Sequence, residues 1–269
     1  MFVRLKKFMK LGGYYKVAYV GLTPILGCFT RSNLTGKENI PTGGFILVSN
    51  HLSTMDPLVQ AYRFGVLGYE VRFMAKSELF RVPVLGRILT NWGMIPVHRK
   101  AGDARNSLEA AEEALSLDRI VSFFPEGTIT KDPAFWPMTF KTGAARLALK
   151  TGATILPVTQ WGTQDLLDRS SRLIRFRRSK LEMRILPPID PRSFGESDQD
   201  KEAVSALTEE LQQLVMANLG DIRQEEPPEK PWSLDRLQVP KPQWRTFSSW
   251  RRLLAKRTGR QDILPGTNR

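Results

Sequence analysis

His51 and Asp56 are the two residues whose types and spacing most directly indicate chemistry. They lie within residues 50–56 (NHLSTMD), directly after a predicted strand. A loop of this length can fold so that the aspartate accepts a hydrogen bond from one imidazole nitrogen, which leaves the other nitrogen free to take up a proton. Such a pair would act as a general base that deprotonates a substrate hydroxyl group. Spacing alone also permits a simpler interpretation, in which Asp56 caps the helix that Pro57 begins and His51 is an ordinary loop residue.

Three further segments place potentially useful side chains near predicted strands. Residues 124–128 (FPEGT) follow a strand, and a carboxylate beside glycine and threonine suits the binding of polyol hydroxyl groups, although a strand-ending turn explains the same residues. Residues 93–99 (GMIPVHR) end in Arg99, whose guanidinium can hold a phosphate by paired hydrogen bonds or can simply be solvated. Residues 155–159 (ILPVT) by themselves indicate only a buried strand.

Taken together and in this order, these segments resemble the four sequence blocks of the glycerolipid acyltransferases. The blocks are H-x4-D, G-x-I-P-V-x-R, F-P-E-G-T and a late apolar strand with proline. The similarity is greatest to the bacterial 1-acylglycerol-3-phosphate (lysophosphatidate) acyltransferases. Residues 126–130 (EGTIT), followed by Trp136-Pro137 and Lys141-Thr142-Gly143, resemble actinobacterial members. The resemblance covers about residues 37–190.

The resemblance implies that the chain transfers a fatty acyl group from acyl-CoA or an acyl carrier protein to the free hydroxyl of 1-acylglycerol 3-phosphate. The product would be phosphatidate for phospholipid synthesis. A related acyltransferase acting on another lysophospholipid or a glycolipid is the alternative. In either reaction His51 is the base and Asp56 its partner, and no metal or cofactor takes part beyond the thioester co-substrate. The third block is implied to help bind the glycerol phosphate acceptor through Glu126, Gly127 and Thr128.

One position departs from the family pattern. The third block often continues with an arginine that contacts phosphate, whereas this sequence has Ile129 at that place. Arg99 lies in the block that the resemblance assigns to acceptor binding. A phosphate group still needs cationic partners, so we expect Lys76, Arg99 and Lys141 to supply them.

The charge balance limits the classes of binding partner that the chain can have. Lys and Arg number 40 against 27 Asp and Glu, a net charge of +13 that attracts nucleic acid, anionic lipid or phosphorylated substrates. The sequence shows neither a nucleic-acid recognition motif nor the G-x-S-x-G of serine hydrolases, and two histidines with one cysteine suit a zinc enzyme poorly. We therefore expect a lipid acceptor and an anionic membrane surface as partners, with no nucleic acid. The expected location is the cytoplasmic face of the cell membrane, as a peripheral or monotopic protein.

Short apolar runs alternate with helical periodicity through the middle of the chain. Strands are predicted over 45–49, 71–74, 120–124, 154–158 and 172–185. Helices are predicted over 103–117, 141–150 and 201–219, the last of them ended by Gly220. The alternation predicts an α/β fold with a mixed, largely parallel sheet flanked by helices.

The sequence divides into three regions. Residues 1–36 combine basic and apolar residues with no acid, and we expect amphipathic membrane-associating helices there, with a core-packing helix as the alternative. Residues 37–223 form the predicted acyltransferase domain. Residues 224–269 mix prolines and tryptophans with basic residues and are predicted to form a partly disordered tail.

Overall fold

The computed structural model describes residues 30–97, 104–167 and 179–233, together with residues 12, 13, 16 and 21. The strands are β1 (Thr30–Thr35), β2 (Ile46–Ser49), β3 (Val71–Lys76), β4 (Ile95–Val97), β5 (Ile120–Phe123), β6 (Ile155–Trp161) and β7 (Ser179–Ile185). They form one seven-stranded sheet in the order β1-β7-β6-β2-β5-β3-β4. All neighbours are parallel except β6 and β7, which are antiparallel. The predicted mixed, largely parallel sheet is therefore confirmed.

Helices connect these strands and cover both faces of the sheet. The described ranges from residue 30 onwards contain α1 (Asp56–Val66), α2 (Leu85–Asn91), α3 (Ala104–Ser116), α4 (Gly143–Thr151), α5 (Thr163–Leu166) and α6 (Lys201–Arg223). Short 3-10 helices lie at Lys37–Asn39, Ser77–Arg81 and Pro191–Ser193. Among the described helices, none combines the length and the apolar character that crossing a bilayer requires.

The core has two layers because successive side chains of a strand point to opposite faces of the sheet. Ile46 and Val48 of β2 belong to an apolar cluster that includes the buried sides of α3, α4 and α6. Leu47, between them, belongs to the opposite cluster, which includes residues of α1, β3 and β7. Burial on both faces explains why the strands nearest the centre read as continuous apolar runs rather than as alternating ones.

The end of α6 differs from its prediction. Gly220 was predicted to terminate the helix, but it lies buried within α6, and the helix ends at Arg223 with Gln224 in a left-handed cap (φ 55°, ψ 42°). A methyl group added at Gly220 would lie 2.8 Å from the carbonyl oxygen of Glu225. The glycine is therefore needed because the chain folds back closely over the helix.

The predicted boundary at residue 36 was also wrong. Residues 30–35 form β1 and pair with β7, so the sheet domain begins at Thr30. This edge strand (TRSNLT) is mostly polar, so its sequence carries no apolar signal. The rest of the region predicted as membrane-associating helices, apart from residues 12, 13, 16 and 21, lies outside the described residues. So do residues 172–178 of the predicted fifth strand and residues 234–269 of the predicted tail.

Candidate active site

The candidate site lies at the edge of the sheet where the central parallel strands end. His51 follows β2, Glu126 follows β5, and Lys76 is the last residue of β3. Because β2, β5 and β3 are parallel neighbours, their carboxyl ends meet at this one edge. Open α/β sheets commonly bind ligands there.

His51 and Asp56 are in direct contact, as their spacing predicts. The imidazole Nδ1 lies 2.8 Å from Asp56 Oδ2. The same oxygen accepts the backbone N–H groups of Leu52 (2.6 Å) and Ser53 (2.8 Å), and the hydroxyl of Thr163 donates to Oδ1. Asp56 is the first residue of α1 and accepts from residues that precede it, so its side chain shapes the loop rather than capping the helix.

This geometry fixes the hydrogen positions on the imidazole ring. A carboxylate only accepts hydrogen bonds, so Nδ1 of His51 must carry the hydrogen that is shared with Asp56, and Nε2 is left to accept a proton. The Asp56 side chain is fully buried, whereas that of His51 is 16% exposed. The pair therefore has the arrangement of a general base whose orienting group is shielded from water.

An aromatic stack holds the ring from one side. Phe124 lies against His51 with 4.2 Å between the ring centroids and an angle of 23° between the planes. Phe73 stacks behind Phe124, with centroids 6.3 Å apart. The first residue of the F-P-E-G-T segment thus positions the imidazole, a role that the sequence interpretation missed.

Glu126 lies beneath the loop that carries His51. Its Oε1 accepts the backbone N–H of His51 (2.8 Å), and its Oε2 accepts the backbone N–H of Met138 (2.9 Å). The residue is 2% exposed, and this burial raises the pKa of its carboxyl group to about 8, although both N–H donors oppose the rise. In this structure Glu126 joins two loops, and a direct contact between Glu126 and an acceptor stays a prediction.

Lys141 lies beside the third block. A methyl group added at Gly127, which has a left-handed φ of 69°, would lie 2.9 Å from Lys141 Nζ. The backbone N–H of Lys141 donates to the carbonyl oxygen of Pro125 (2.9 Å). Lys76 is exposed and Thr128 is half-buried. Arg99 lies outside the described residues, and its place near the phosphate stays a prediction.

The family match agrees with this site. Residues 31–161 match the family model described as Acyltransferase. This matched range includes His51, Asp56, Glu126 and Lys141, and it begins within β1 and ends with β6.

Individual relatives point in the same direction. A 1-acyl-sn-glycerol-3-phosphate acyltransferase from Borreliella burgdorferi is 35% identical over 136 residues, which cover 49% of this chain and 52% of that protein. A lyso-ornithine lipid O-acyltransferase from Pseudomonas aeruginosa is 27% identical over 182 residues, which cover 62% of this chain and 67% of that protein. The chain spans about half the length of several of the curated relatives that it matches.

A solved structure shares the fold. The crystal structure of the 1-acyl-sn-glycerophosphate (LPA) acyltransferase PlsC from Thermotoga maritima matches with a TM-score of 0.64 and 26% sequence identity. The match covers 81% of this chain and 81% of that chain. It therefore extends beyond the range of the family model and supports the fold of the acyltransferase domain as a whole.

A buried polar network anchors the loop that carries His51 to the sheet. Asn50 Oδ1 accepts the backbone N–H of Gln160 and Asn50 Nδ2 donates to the backbone carbonyl of Gln160, both at 2.9 Å. The Gln160 side chain donates to the backbone carbonyl of Asn50 (3.0 Å) and accepts from Gln60 Nε2 (3.3 Å). Ser122 Oγ donates to Gln60 Oε1 (3.2 Å). Polar residues in otherwise apolar strands were the available signal for this network, which the sequence interpretation did not use.

Proposed function

We propose that the chain transfers a fatty acyl group from acyl-CoA or an acyl carrier protein to the free hydroxyl of 1-acylglycerol 3-phosphate, forming phosphatidate. The observation that carries this proposal is the partly exposed His51 ring, held through Nδ1 by the buried Asp56 at the carboxyl edge of the sheet. The named activities of its relatives support the same reaction class.

The proposed reaction is a single displacement that needs no metal. His51 Nε2 takes the proton of the acceptor hydroxyl while the hydroxyl oxygen bonds to the thioester carbonyl carbon. The tetrahedral intermediate then expels the thiolate as the C–S bond breaks, and the imidazolium returns its proton to the sulfur. Asp56 stabilises the imidazolium that forms in between. A base placed in this way contributes about 10²–10⁴-fold to the rate.

Lys76, Lys141 and Arg99 are proposed to hold the acceptor phosphate, since Ile129 stands where the family often has an arginine. Lys141 lies against Gly127. Lys76 is the last residue of β3, and β3 pairs with β5, the strand that precedes Glu126. We expect Lys76→Ala and Lys141→Ala to raise the acceptor KM. Lys150→Ala is the matched control, because Lys150 is also exposed but lies in the last turn of α4 and pairs with Glu112. If the first two variants keep the wild-type KM, the assignment is wrong.

The substrates also imply a location. A lysophospholipid acceptor and its product reside in a bilayer, so the protein is proposed to work at the cytoplasmic surface of a membrane, as a peripheral or monotopic protein. The net charge of +13 favours anionic lipid headgroups. The basic N-terminal region is proposed to contribute to this attraction.

Two observations support a second acceptor class. This sequence has Ile129 where the family it resembles often has a phosphate-contacting arginine, and a relative that matches over 62% of this chain is named a lyso-ornithine lipid O-acyltransferase. The lipid in that name is acylated without being a lysophosphatidate. A lysolipid acceptor of this kind is therefore the alternative.

A transfer assay with the purified full-length chain tests both proposals. Lysophosphatidate, other lysophospholipids and lyso-ornithine lipid are offered with acyl-CoA and with acyl carrier protein. We expect lysophosphatidate to be acylated fastest, and His51→Ala to lose at least about 10²-fold in kcat while its circular dichroism spectrum and thermal unfolding stay close to wild type. Full activity in His51→Ala would refute the mechanism. A strong preference for lyso-ornithine lipid would favour the alternative acceptor.

A further inference from the structure

Large apolar side chains are exposed together on the segment between β3 and β4. We call residues 77–91 the apolar projection; it comprises the 3-10 helix Ser77–Arg81, a short turn and α2. Its exposed apolar side chains, between 38% and 70% accessible, are Leu79, Val82, Val84, Leu85 and Ile88. Among the described residues, Leu117 is the one other large apolar side chain with comparable exposure. Single exposed apolar residues are ordinary, whereas a group of them marks an interaction surface.

Inward-facing residues hold the projection in place. Phe80 and Leu89 pack against the core cluster on the α1 face of the sheet. Gly86 is buried and lets α2 approach the preceding 3-10 helix, since an added methyl group would lie 2.1 Å from the carbonyl oxygen of Phe80. The exposed side chains therefore form the outer face of a packed unit. Because they stay exposed, they contribute little to the stability of the fold.

Val84 is the clearest example of an apolar side chain that the fold leaves exposed. It is 70% exposed and has a φ of 67° with a ψ of −58°, a positive-φ conformation that a β-branched residue rarely adopts. Neither burial nor backbone preference explains a valine at this place. The apolar side chain is accounted for if it is buried against something outside the described fold.

Charge and position indicate what that partner is. Arg81 and Arg87 are exposed on the projection, against one acid, Glu78. The projection starts directly after Lys76, at the same sheet edge as His51. Apolar side chains interspersed with arginines suit the boundary between headgroups and acyl chains of an anionic bilayer.

We propose that the apolar projection docks on an anionic phospholipid bilayer. Its apolar side chains enter the headgroup region, and Arg81 and Arg87 contact lipid phosphates. The inference rests on the proposed function to the extent that a lipid acceptor must leave the bilayer near the site. Docking through this segment would place the carboxyl edge of the sheet, with His51, next to the membrane surface.

A fluorescent probe on the projection tests the docking without any turnover. Cys28 is the single cysteine of the chain, so Cys28→Ser gives a thiol-free background. Val84→Cys in the full chain is labelled with an environment-sensitive nitrobenzoxadiazole dye and mixed with vesicles of phosphatidylcholine and phosphatidylglycerol. We expect a blue shift, a several-fold rise in emission, and quenching by nitroxide-labelled lipids. Leu117→Cys, labelled in the same way, is the matched control and should show none of these.

Three results would overturn the docking proposal. The first is an unchanged signal at position 84, whether or not the protein sediments with the vesicles. The second is an equal response at position 117. The third is a response at position 84 that arises on raising the protein concentration without vesicles, which would assign the surface to a second copy of the chain.

Activity measurements separate this proposal from the proposed function. The double variant Val82→Asn/Ile88→Asn should raise the KM for an acceptor embedded in anionic vesicles about tenfold and leave the rate on a short-chain, water-soluble acceptor unchanged. Leu117→Asn should alter neither. If the wild type acylates neither form of acceptor, the proposed function fails while the probe result still decides the docking. If the double variant loses both activities equally, the docking role is wrong.

Discussion

The hydroxyl of Thr163 donates a hydrogen bond to Oδ1 of Asp56, the carboxylate oxygen that does not contact His51. Thr163 is buried and begins α5, directly after Gly162 at the end of β6. Gly162 has a φ of 98°, and an added methyl group would lie 2.1 Å from the carbonyl oxygen of Lys180. The turn that delivers the threonine hydroxyl therefore depends on glycine. With Oδ1 held by Thr163, Oδ2 stays directed at the imidazole.

The first prediction concerns this hydroxyl. Thr163→Val keeps the side-chain shape but leaves a buried carboxylate oxygen without its donor. We expect kcat to fall about tenfold, equivalent to about 1.4 kcal/mol, with little change in KM and with a shifted pH profile of kcat/KM. Thr163→Ser restores the hydroxyl and should recover most of the rate. If Thr163→Val is as active as wild type over the whole pH range, the threonine serves packing alone.

The second prediction concerns the stability that Glu126 contributes at different pH values. The ordinary pKa of this carboxyl group is 4.5, whereas burial raises it to about 8 in the folded protein. Folding therefore takes up a proton between these values, and the contribution of Glu126 to the free energy of unfolding falls as the pH rises through that window. Urea unfolding at pH 5.5 and 7.5 should show about 2–3 kcal/mol of this loss.

Glu126→Gln is the control for that measurement because glutamine does not titrate. Its amide nitrogen must also face a backbone N–H group, so the variant should be less stable than wild type at pH 5.5, where the wild-type carboxyl group is protonated. The test is the difference between the two pH slopes, since the other titrating groups are common to both proteins. Equal slopes would mean that Glu126 ionises in the folded protein as it does in the unfolded chain.

The sequence predicted those parts of the site that depend on short separations. His51 and Asp56 are five positions apart on one loop, so their types and the predicted strand before them were enough. Thr163 is 107 positions from Asp56, and Gln160 is 110 positions from Asn50. Those contacts exist because β6 and β2 are neighbours in the sheet, which no local pattern shows.

The fold followed the same rule. The central strands were predictable from apolar runs because both faces of the sheet are covered. The edge strand β1 is largely polar and β4 has three residues, so neither carries a strong local signal. The burial that raises the pKa of Glu126 likewise depends on residues that come together only in the folded chain.

The third prediction concerns the packing of α6 against the site loops. The guanidinium of Arg223 lies 4.1 Å from the ring centroid of Trp136 and 4.6 Å from that of Trp161. It donates to the carbonyl oxygen of Ala134 at 2.8 Å. The Arg223 side chain is only 6% exposed. Because this burial removes water from the charge, the interaction with the two ring faces is strengthened. Arg223→Ala should lower the free energy of unfolding by about 2–3 kcal/mol through lost packing and cation–π attraction.

Two further variants separate the causes. Arg223→Met keeps the apolar stem and should recover part of the lost stability. Glu225→Gln removes the ion pair between Arg223 and the exposed Glu225 side chain and should change the stability by less than about 1 kcal/mol. All three are measured by urea unfolding. If Glu225→Gln costs as much as Arg223→Ala, the ion pair rather than the tryptophan contacts stabilises this corner.

The last prediction concerns the place where Lys141 lies against Gly127. Gly127→Ala adds a methyl group 2.9 Å from Lys141 Nζ, at a backbone φ of 69°. The ammonium must move, and the backbone is strained by about 1 kcal/mol. We expect the acceptor KM to rise at least about threefold, roughly 0.7 kcal/mol of binding, together with the loss of stability. Gly43→Ala is the matched control, because Gly43 has a φ of 79° but lies near Asp118, before β2 begins. It should lose similar stability and keep the wild-type KM. Equal KM values for the two variants would show that Gly127 does not position Lys141 for the acceptor.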